Sequence, residues 1–129
     1  MASDEVRLER IGQVRVNVRD LAGATAFYRD VLGMQFLFHV PEQGLAFFDC
    51  GGVRLYLGAT ASSETTATAT IYYQVDSVER VHDALVSRGV SFEAGPHAVY
   101  TLEDREGRMA FFRDPDGNSL ALMAEVPLA

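Results

Sequence analysis

Polar and aromatic side chains alternate with apolar ones in three short segments, 13–18, 53–57 and 70–75, and they are well placed to bind a small molecule. Arginine can hold a carboxylate or phosphate through two parallel hydrogen bonds. Tyrosine offers a flat apolar ring with a hydroxyl, which suits an aromatic or conjugated ligand. The candidate binding residues are Gln13, Arg15, Asn17, Arg54, Tyr56, Tyr72 and Gln74.

The same alternation has a simpler interpretation, in which the polar face of an antiparallel sheet points to water. Arg15 or Arg54 could then form an ion pair with an acid such as Glu103 or Asp104, or across a dimer interface. A curved sheet would instead wrap the face around a cavity. The residues alone leave both interpretations open.

His97 is the candidate general acid or base, because an unperturbed imidazole titrates near neutrality. It follows Gly95 and Pro96, where the sheet is expected to open into a polar loop. The alternative is a histidine exposed to solvent on that loop. The single cysteine, Cys50, has no base beside it in the sequence and is interpreted as structural.

Composition sets limits on the partners. The length of 129 residues predicts a single domain. The formal net charge of −7 argues against nucleic acid as the main partner. No apolar run approaches the roughly 20 residues of a membrane span, and the N-terminus has no apolar signal core. We therefore expect a cytoplasmic protein that does not enter a membrane.

Period-two alternation predicts strands, and apolar residues at helical spacing predict two helices. The first helix is expected to begin at Leu21 with Asp20 as its N-cap and to stop at Gly33. The second is expected to have Asp76 as its N-cap and to stop at Gly89. Residues 95–107 are the most polar and least regular, and predict a loop with some strand at 99–102.

The turn at 114–118 connects the last two predicted strands. Pro115 fixes φ for a turn, Gly117 tolerates a positive φ, and Asp116 is expected to bond its own backbone. A rougher version of the same hairpin occurs around Gly51 and Gly52. The chain thus contains two strand–helix–strand–strand–strand units, with module one at 10–58, a Ser/Thr/Ala linker at 59–69 and module two at 70–124.

Three motifs make the pattern familiar, namely VRDL with AFYRDVLG at 18–33, YQVD at 73–76 and FRDPDGN at 112–118. The chain resembles the vicinal oxygen chelate superfamily, which includes glyoxalase I, bleomycin-resistance proteins and extradiol dioxygenases. The resemblance implies an α+β fold in which two βαβββ modules form a cupped eight-stranded mixed sheet with the helices on its outer face. It also implies ligands bound in the cup and a homodimer.

Metal-using members of this superfamily place ligands at four positions related by the repeat. The resemblance puts these positions at Gln13, Tyr56, Thr70 and Ala121. Divalent transition metals prefer imidazole and carboxylate donors, which these four side chains do not supply. We therefore expect no metal and no cofactor, and count Thr70 and Ala121 among the ligand-binding candidates.

The resulting expectation is metal-independent binding of a small apolar or aromatic molecule in the sheet cavity. The alternative is an enzyme of the lyase, isomerase or dioxygenase type, either metal-free with His97 as base or with a metal at unexpected ligands. The sequence does not name the ligand.

Overall fold

The computed structural model describes residues 6–60 and 69–128. It contains eight strands and two α-helices in the order β1, α1, β2, β3, β4, β5, α2, β6, β7, β8. The strands are β1 Gln13–Val18, β2 Gln35–Val40, β3 Leu45–Cys50, β4 Val53–Ala59, β5 Thr70–Gln74, β6 Phe92–Leu102, β7 Arg105–Arg113 and β8 Ser119–Pro127. The helices are α1 Leu21–Ala26 and α2 Val78–Ser87. Residues 61–68 of the predicted linker lie outside the described residues.

The eight strands form two four-stranded mixed sheets. The order is β1-β4-β3-β2 in the first sheet and β5-β8-β7-β6 in the second sheet. β1 pairs in parallel with β4, and β5 pairs in parallel with β8. The other strand pairs are antiparallel. The α+β class and the two βαβββ units are confirmed, with the strands divided between two sheets.

The first helix begins as predicted but ends differently. The Asp20 carboxylate accepts a hydrogen bond from the backbone N–H of Gly23 at 3.2 Å, as an N-cap does. After Ala26 the chain continues as a π-helical turn over Phe27–Val31. Gly33 follows with a φ of 72°, the left-handed conformation that stops a helix.

The cap of the second helix is Ser77, so the prediction of Asp76 was wrong by one residue. The Ser77 hydroxyl accepts a hydrogen bond from the backbone N–H of Arg80 at 3.1 Å. Aspartate and serine both cap helices well. The N-cap is the residue whose side-chain oxygen accepts a hydrogen bond from the backbone N–H three residues later. The helix ends before Gly89, which has a φ of 93°.

The predicted loop at 95–107 is almost wholly a hairpin. β6 runs from Phe92 to Leu102 and β7 starts at Arg105, so that only two residues separate them. β6 lies at the edge of the second sheet and its register shifts at three places. Many of its side chains are exposed, which is why its polar composition hid the strand.

Both sheets turn one face onto a common hydrophobic core that also contains the helices. Phe48 and Leu57 from the first sheet, and Phe112 and Leu120 from the second, are 0% exposed and belong to one cluster. Each such side chain contributes about 1.5–3 kcal/mol through burial. The remaining face of each sheet therefore points away from this core.

A buried hydrogen bond joins the halves beside this core. The hydroxyl of Tyr28 donates to the Oδ2 atom of Asp114 at 2.8 Å, and both side chains are buried. Asp114 also accepts from the backbone N–H groups of Asp116 and Asn118, each at 2.9 Å. It is thus Asp114 that holds the backbone of the 114–118 turn, and the prediction that Asp116 does so was wrong.

No described helix is long and apolar enough to cross a membrane.

Candidate functional site

The first group of candidates lies together on the face of the first sheet that is turned away from the core, here called face one. The parallel register pairs Gln13 with Arg54 and Arg15 with Tyr56, and Asn17 follows two residues later on the same side of β1. Val16, Val18 and the leucines of β4 occupy the opposite side, in the core. The two-residue period of the strands therefore places all five predicted side chains on one surface.

A row of stacked aromatic rings crosses face one. The ring centroids of Phe38 and Phe47 are 4.8 Å apart at 22°, and those of Phe47 and Tyr56 are 5.1 Å apart at 21°. Phe38 is 47% exposed. Offset stacking at these distances is favourable, and an exposed ring at the end of a row can accept a further flat ring.

Two guanidinium groups flank this row. The Cζ atom of Arg15 lies 5.6 Å from the Tyr56 ring centroid, and that of Arg54 lies 5.8 Å from the Phe47 centroid. Arg15 also donates from Nε to the Oδ1 atom of Asn17 at 2.8 Å. Neither arginine forms an ion pair within residues 6–60 and 69–128, so the expected alternative of an internal ion pair is not seen there.

Gly58 leaves space for the guanidinium of Arg15, because glycine has no Cβ atom. A Cβ atom at Gly58 would lie 2.3 Å from the Cζ atom of Arg15, closer than nonbonded atoms approach. Nearby, Gln13 and Arg54 line a groove of about 390 Å³ together with Asp49 and Leu37. Face one thus combines flat apolar rings with two guanidinium groups that form no ion pair within the described residues.

The second group of candidates lies on the outward face of the second sheet, here called face two. The ring of Tyr72 is 47% exposed and meets Phe111 edge to face, with the centroids 6.1 Å apart. The hydroxyl of Thr70 donates to that of Ser119 at 3.0 Å, and Gln74 lines a groove of about 300 Å³. Ala121 pairs with Tyr72 in the parallel register but is 0% exposed.

His97 also belongs to face two and lies on β6 rather than on a loop. Its ring is 6.1 Å from the ring of Phe111. Its Nδ1 atom is 2.7 Å from the carbonyl oxygen of Gly95. Because a carbonyl can only accept, Nδ1 carries the proton, and Nε2 of the neutral ring is left as an acceptor. The side chain is exposed.

The two faces do not meet within one chain. Within the described residues, no hydrogen bond, ion pair or ring contact joins a candidate on face one to a candidate on face two. The reason is the shared core, which lies between the two sheets and turns these faces outward. A single chain therefore carries its candidate residues on two separate faces.

The four positions that a metal would use offer a poor donor set. Gln13 and Tyr56 lie on neighbouring strands of face one, whereas Thr70 and Ala121 lie on face two. The Thr70 hydroxyl is engaged by Ser119, and alanine has no donor atom. Over the part of the chain that the structure describes, no three His, Cys, Asp or Glu side chains come together. These residues do not fit a transition metal.

Sequence reasoning missed the phenylalanines of both faces. Phe38, Phe47 and Phe111 line the faces, and in the sequence Phe47 and Phe111 stand next to the core residues Phe48 and Phe112. Strict alternation through β3 could have found Phe47, because its neighbours Ala46 and Phe48 are 0% exposed. Phe38 could not be found in that way, because the register of β2 shifts between Phe36 and Phe38.

Comparisons with known proteins agree with this architecture. The chain is 27% identical over 123 residues to Uncharacterized protein YraH of Bacillus subtilis strain 168, covering 85% of this chain and 94% of that protein. It is 29% identical over 103 residues to catechol-2,3-dioxygenase of the same organism, covering 74% of this chain. The chain spans only 34% of that dioxygenase's length.

Two solved structures show the same fold. A lactoylglutathione lyase from Agrobacterium tumefaciens superposes with a TM-score of 0.71 at 25% identity, covering 92% of this chain and 95% of that one. A glyoxalase/bleomycin resistance protein/dioxygenase from Nocardioides gives a TM-score of 0.74 at 22% identity, covering 95% and 87%. The family model described as Glyoxalase/Bleomycin resistance protein/Dioxygenase superfamily matches residues 10–122, and the chain belongs to this superfamily.

Proposed function

We propose that the protein binds a small aromatic molecule carrying an acidic group, without a metal, in a cavity built from its outward sheet faces. The observation that carries this proposal is the stacked row of Phe38, Phe47 and Tyr56, flanked by Arg15 and Arg54. The row supplies flat apolar area for a ring. A guanidinium beside it can take a carboxylate through two parallel hydrogen bonds.

A second copy of the chain completes the cavity in this proposal. Face one of one protomer would cover face two of its partner, where Tyr72 and Phe111 supply the opposite aromatic wall. Large apolar side chains left exposed on these surfaces, such as Phe38 and Tyr72, favour such an association. Light scattering at micromolar protein is expected to give twice the chain mass, and a monomer would contradict the shared cavity.

Metal independence rests on the donor chemistry of the four superfamily positions. A Gln carbonyl, a neutral phenol, an engaged Thr hydroxyl and an alanine supply no imidazole or carboxylate. The chelator-treated protein is therefore expected to bind its ligand as well as the untreated protein does. Ligand binding that appears only after nickel, zinc, manganese or ferrous iron is added would overturn this part of the proposal.

The probe for the site is 2-naphthoate, with its neutral amide as the matched control ligand. Arg15→Ala is expected to weaken naphthoate binding about tenfold, the value of a hydrogen bond to a charged group, and to change amide binding little. Tyr56→Leu removes ring stacking and is expected to weaken both ligands. Titration calorimetry or ligand fluorescence measures each dissociation constant.

Gly58→Ala provides a variant in which Arg15 is kept but displaced, because the added Cβ would overlap the guanidinium. It is expected to weaken naphthoate in the same direction as Arg15→Ala. His82→Ala, at a histidine that pairs with Asp83 on α2, is the control that leaves both ligands unchanged. Equal naphthoate affinity in the wild type, Arg15→Ala, Tyr56→Leu and Gly58→Ala would refute the proposed site.

The second candidate function is an enzyme of the lyase or isomerase type that uses His97 as its base. The observation that favours it is the Nδ1–H bond to the Gly95 carbonyl, which leaves Nε2 able to accept a proton on face two. His97→Ala separates the two functions once a ligand is known. Lost turnover with retained affinity indicates catalysis, and unchanged turnover removes His97 from the mechanism.

A further inference from the structure

A cleft of about 310 Å³ lies on the core side of the two sheets and shares Asp49 with the groove beside Gln13 and Arg54. Its floor is made of Leu85, Phe112 and Leu122, which are 4%, 0% and 3% exposed. Its rim includes the exposed glycines Gly33 and Gly51, so the cleft opens to solvent. A volume of this size suits a small molecule, and the walls are largely apolar.

One buried polar group in the wall lacks a partner. Tyr73 projects from β5 on the core side, and its hydroxyl oxygen has no hydrogen-bond partner among the described residues. Burial, with the nearby Cys50 and Asp114, raises the pKa of Tyr73 far above its ordinary value. The hydroxyl is therefore a neutral donor at physiological pH, and leaving it unpaired is unfavourable.

The opposite wall is shaped by an unusual piece of backbone. The π-helical turn Phe27–Val31 leads directly into residues 32–35, which line the cleft. Such turns are rare and occur often at functional sites. Arg88, at the end of α2, donates from Nη1 to the carbonyl oxygen of Val31 at 2.7 Å. This bond holds the end of α2 against the turn.

We propose that this cleft binds a small, neutral, apolar molecule with one hydrogen-bond acceptor, such as a ketone, aldehyde or ether, held by the Tyr73 hydroxyl. The apolar floor selects against charged ligands, because a buried charge needs a partner. Asp114 near the hydroxyl adds negative charge, which selects against anions in particular. The ligand class thus differs from the acidic aromatic molecule proposed for face one.

Acetophenone and α-methylstyrene test this proposal, because they differ only in a carbonyl oxygen replaced by a methylene group. The wild-type protein, titrated with each while methyl NMR shifts are followed, is expected to show changes at Val81, Leu85 and Leu122. Tyr73→Phe is expected to weaken acetophenone roughly three- to tenfold, the value of one neutral hydrogen bond, and to leave α-methylstyrene unchanged. Val81→Phe fills the cleft and is expected to abolish both.

Tyr56→Leu, on face one, is the matched control: it weakens naphthoate but leaves unchanged the methyl shifts that acetophenone produces at Val81, Leu85 and Leu122 around the cleft. The proposals for the cleft and for face one can therefore be refuted independently. The proposal is overturned if acetophenone produces no shifts around the cleft, which would leave water as the partner of Tyr73. It is overturned equally if Tyr73→Phe binds acetophenone as tightly as wild type, with circular dichroism confirming that the variant is folded.

Discussion

Replacing Tyr28 with phenylalanine tests the contact that joins the two halves of the molecule. Tyr28 is 0% exposed and Asp114 is 4% exposed, and the hydroxyl donates to the carboxylate at 2.8 Å. The variant keeps the ring and its packing against Phe48 but removes one donor from a buried charged group. A hydrogen bond to a charged group is worth about 1.5–3 kcal/mol. We expect a loss of this size and a fall in melting temperature of roughly 5–10 °C.

Urea denaturation followed by circular dichroism at pH 7 measures this loss. Tyr73→Phe is a matched control, since it also removes a buried phenolic hydroxyl, but one that has no partner among the residues described. Its free energy of unfolding is expected to equal or exceed that of the wild type, because the variant removes a buried hydroxyl that has no partner within the described part of the chain. Equal losses in the two variants, or no loss in Tyr28→Phe, would show that the bond to Asp114 does not stabilise the fold.

Two further predictions concern stability. Burial raises the pKa of Tyr28 and of Tyr73 above the ordinary value of 10.0, so the folded protein keeps these protons when the unfolded chain loses them. The stabilisation contributed by these two tyrosines is therefore complete below pH 10 and is lost above it, by about 1.4 kcal/mol per pH unit for each tyrosine. Urea midpoints from pH 8 to 11 measure this slope, which should be shallower in Tyr28→Phe. Ser77→Ala is expected to lower the free energy of unfolding by about 1 kcal/mol through the lost helix cap. Asp76→Ala should lower it by less than about 0.5 kcal/mol. Equal urea midpoints in the two variants would contradict the observed cap.

The strands and helices that face a core were predictable, because burial on one side imposes a strict period. The valines of β1 and the leucines of β4 alternate with polar residues, and the structure places them as expected. The 95–107 hairpin was not predictable in this way. β6 is an edge strand with many exposed side chains, so its pairing with β7 leaves no apolar alternation in the sequence.

The candidate residues were predictable as faces but not as a site. Each strand's period fixes which side Arg15, Tyr56 or Tyr72 occupies. No local pattern states how two sheets pack, because that depends on contacts such as Tyr28 with Asp114, which are 86 residues apart. The separation of the two faces within one chain therefore emerged only from the structure. The buried, unpartnered hydroxyl of Tyr73 was likewise invisible in the sequence.

The parallel pairing of β1 with β4 and of β5 with β8 has a consequence for the order of folding during synthesis. The first sheet can close once residue 59 has left the ribosome, while the second must wait for β8. Until then the apolar face of the first sheet lacks the core residues of the second half, and the Tyr28 hydroxyl lacks its acceptor. The first half is thus synthesised early but completes its packing late, and during that interval its exposed apolar surface is open to aggregation.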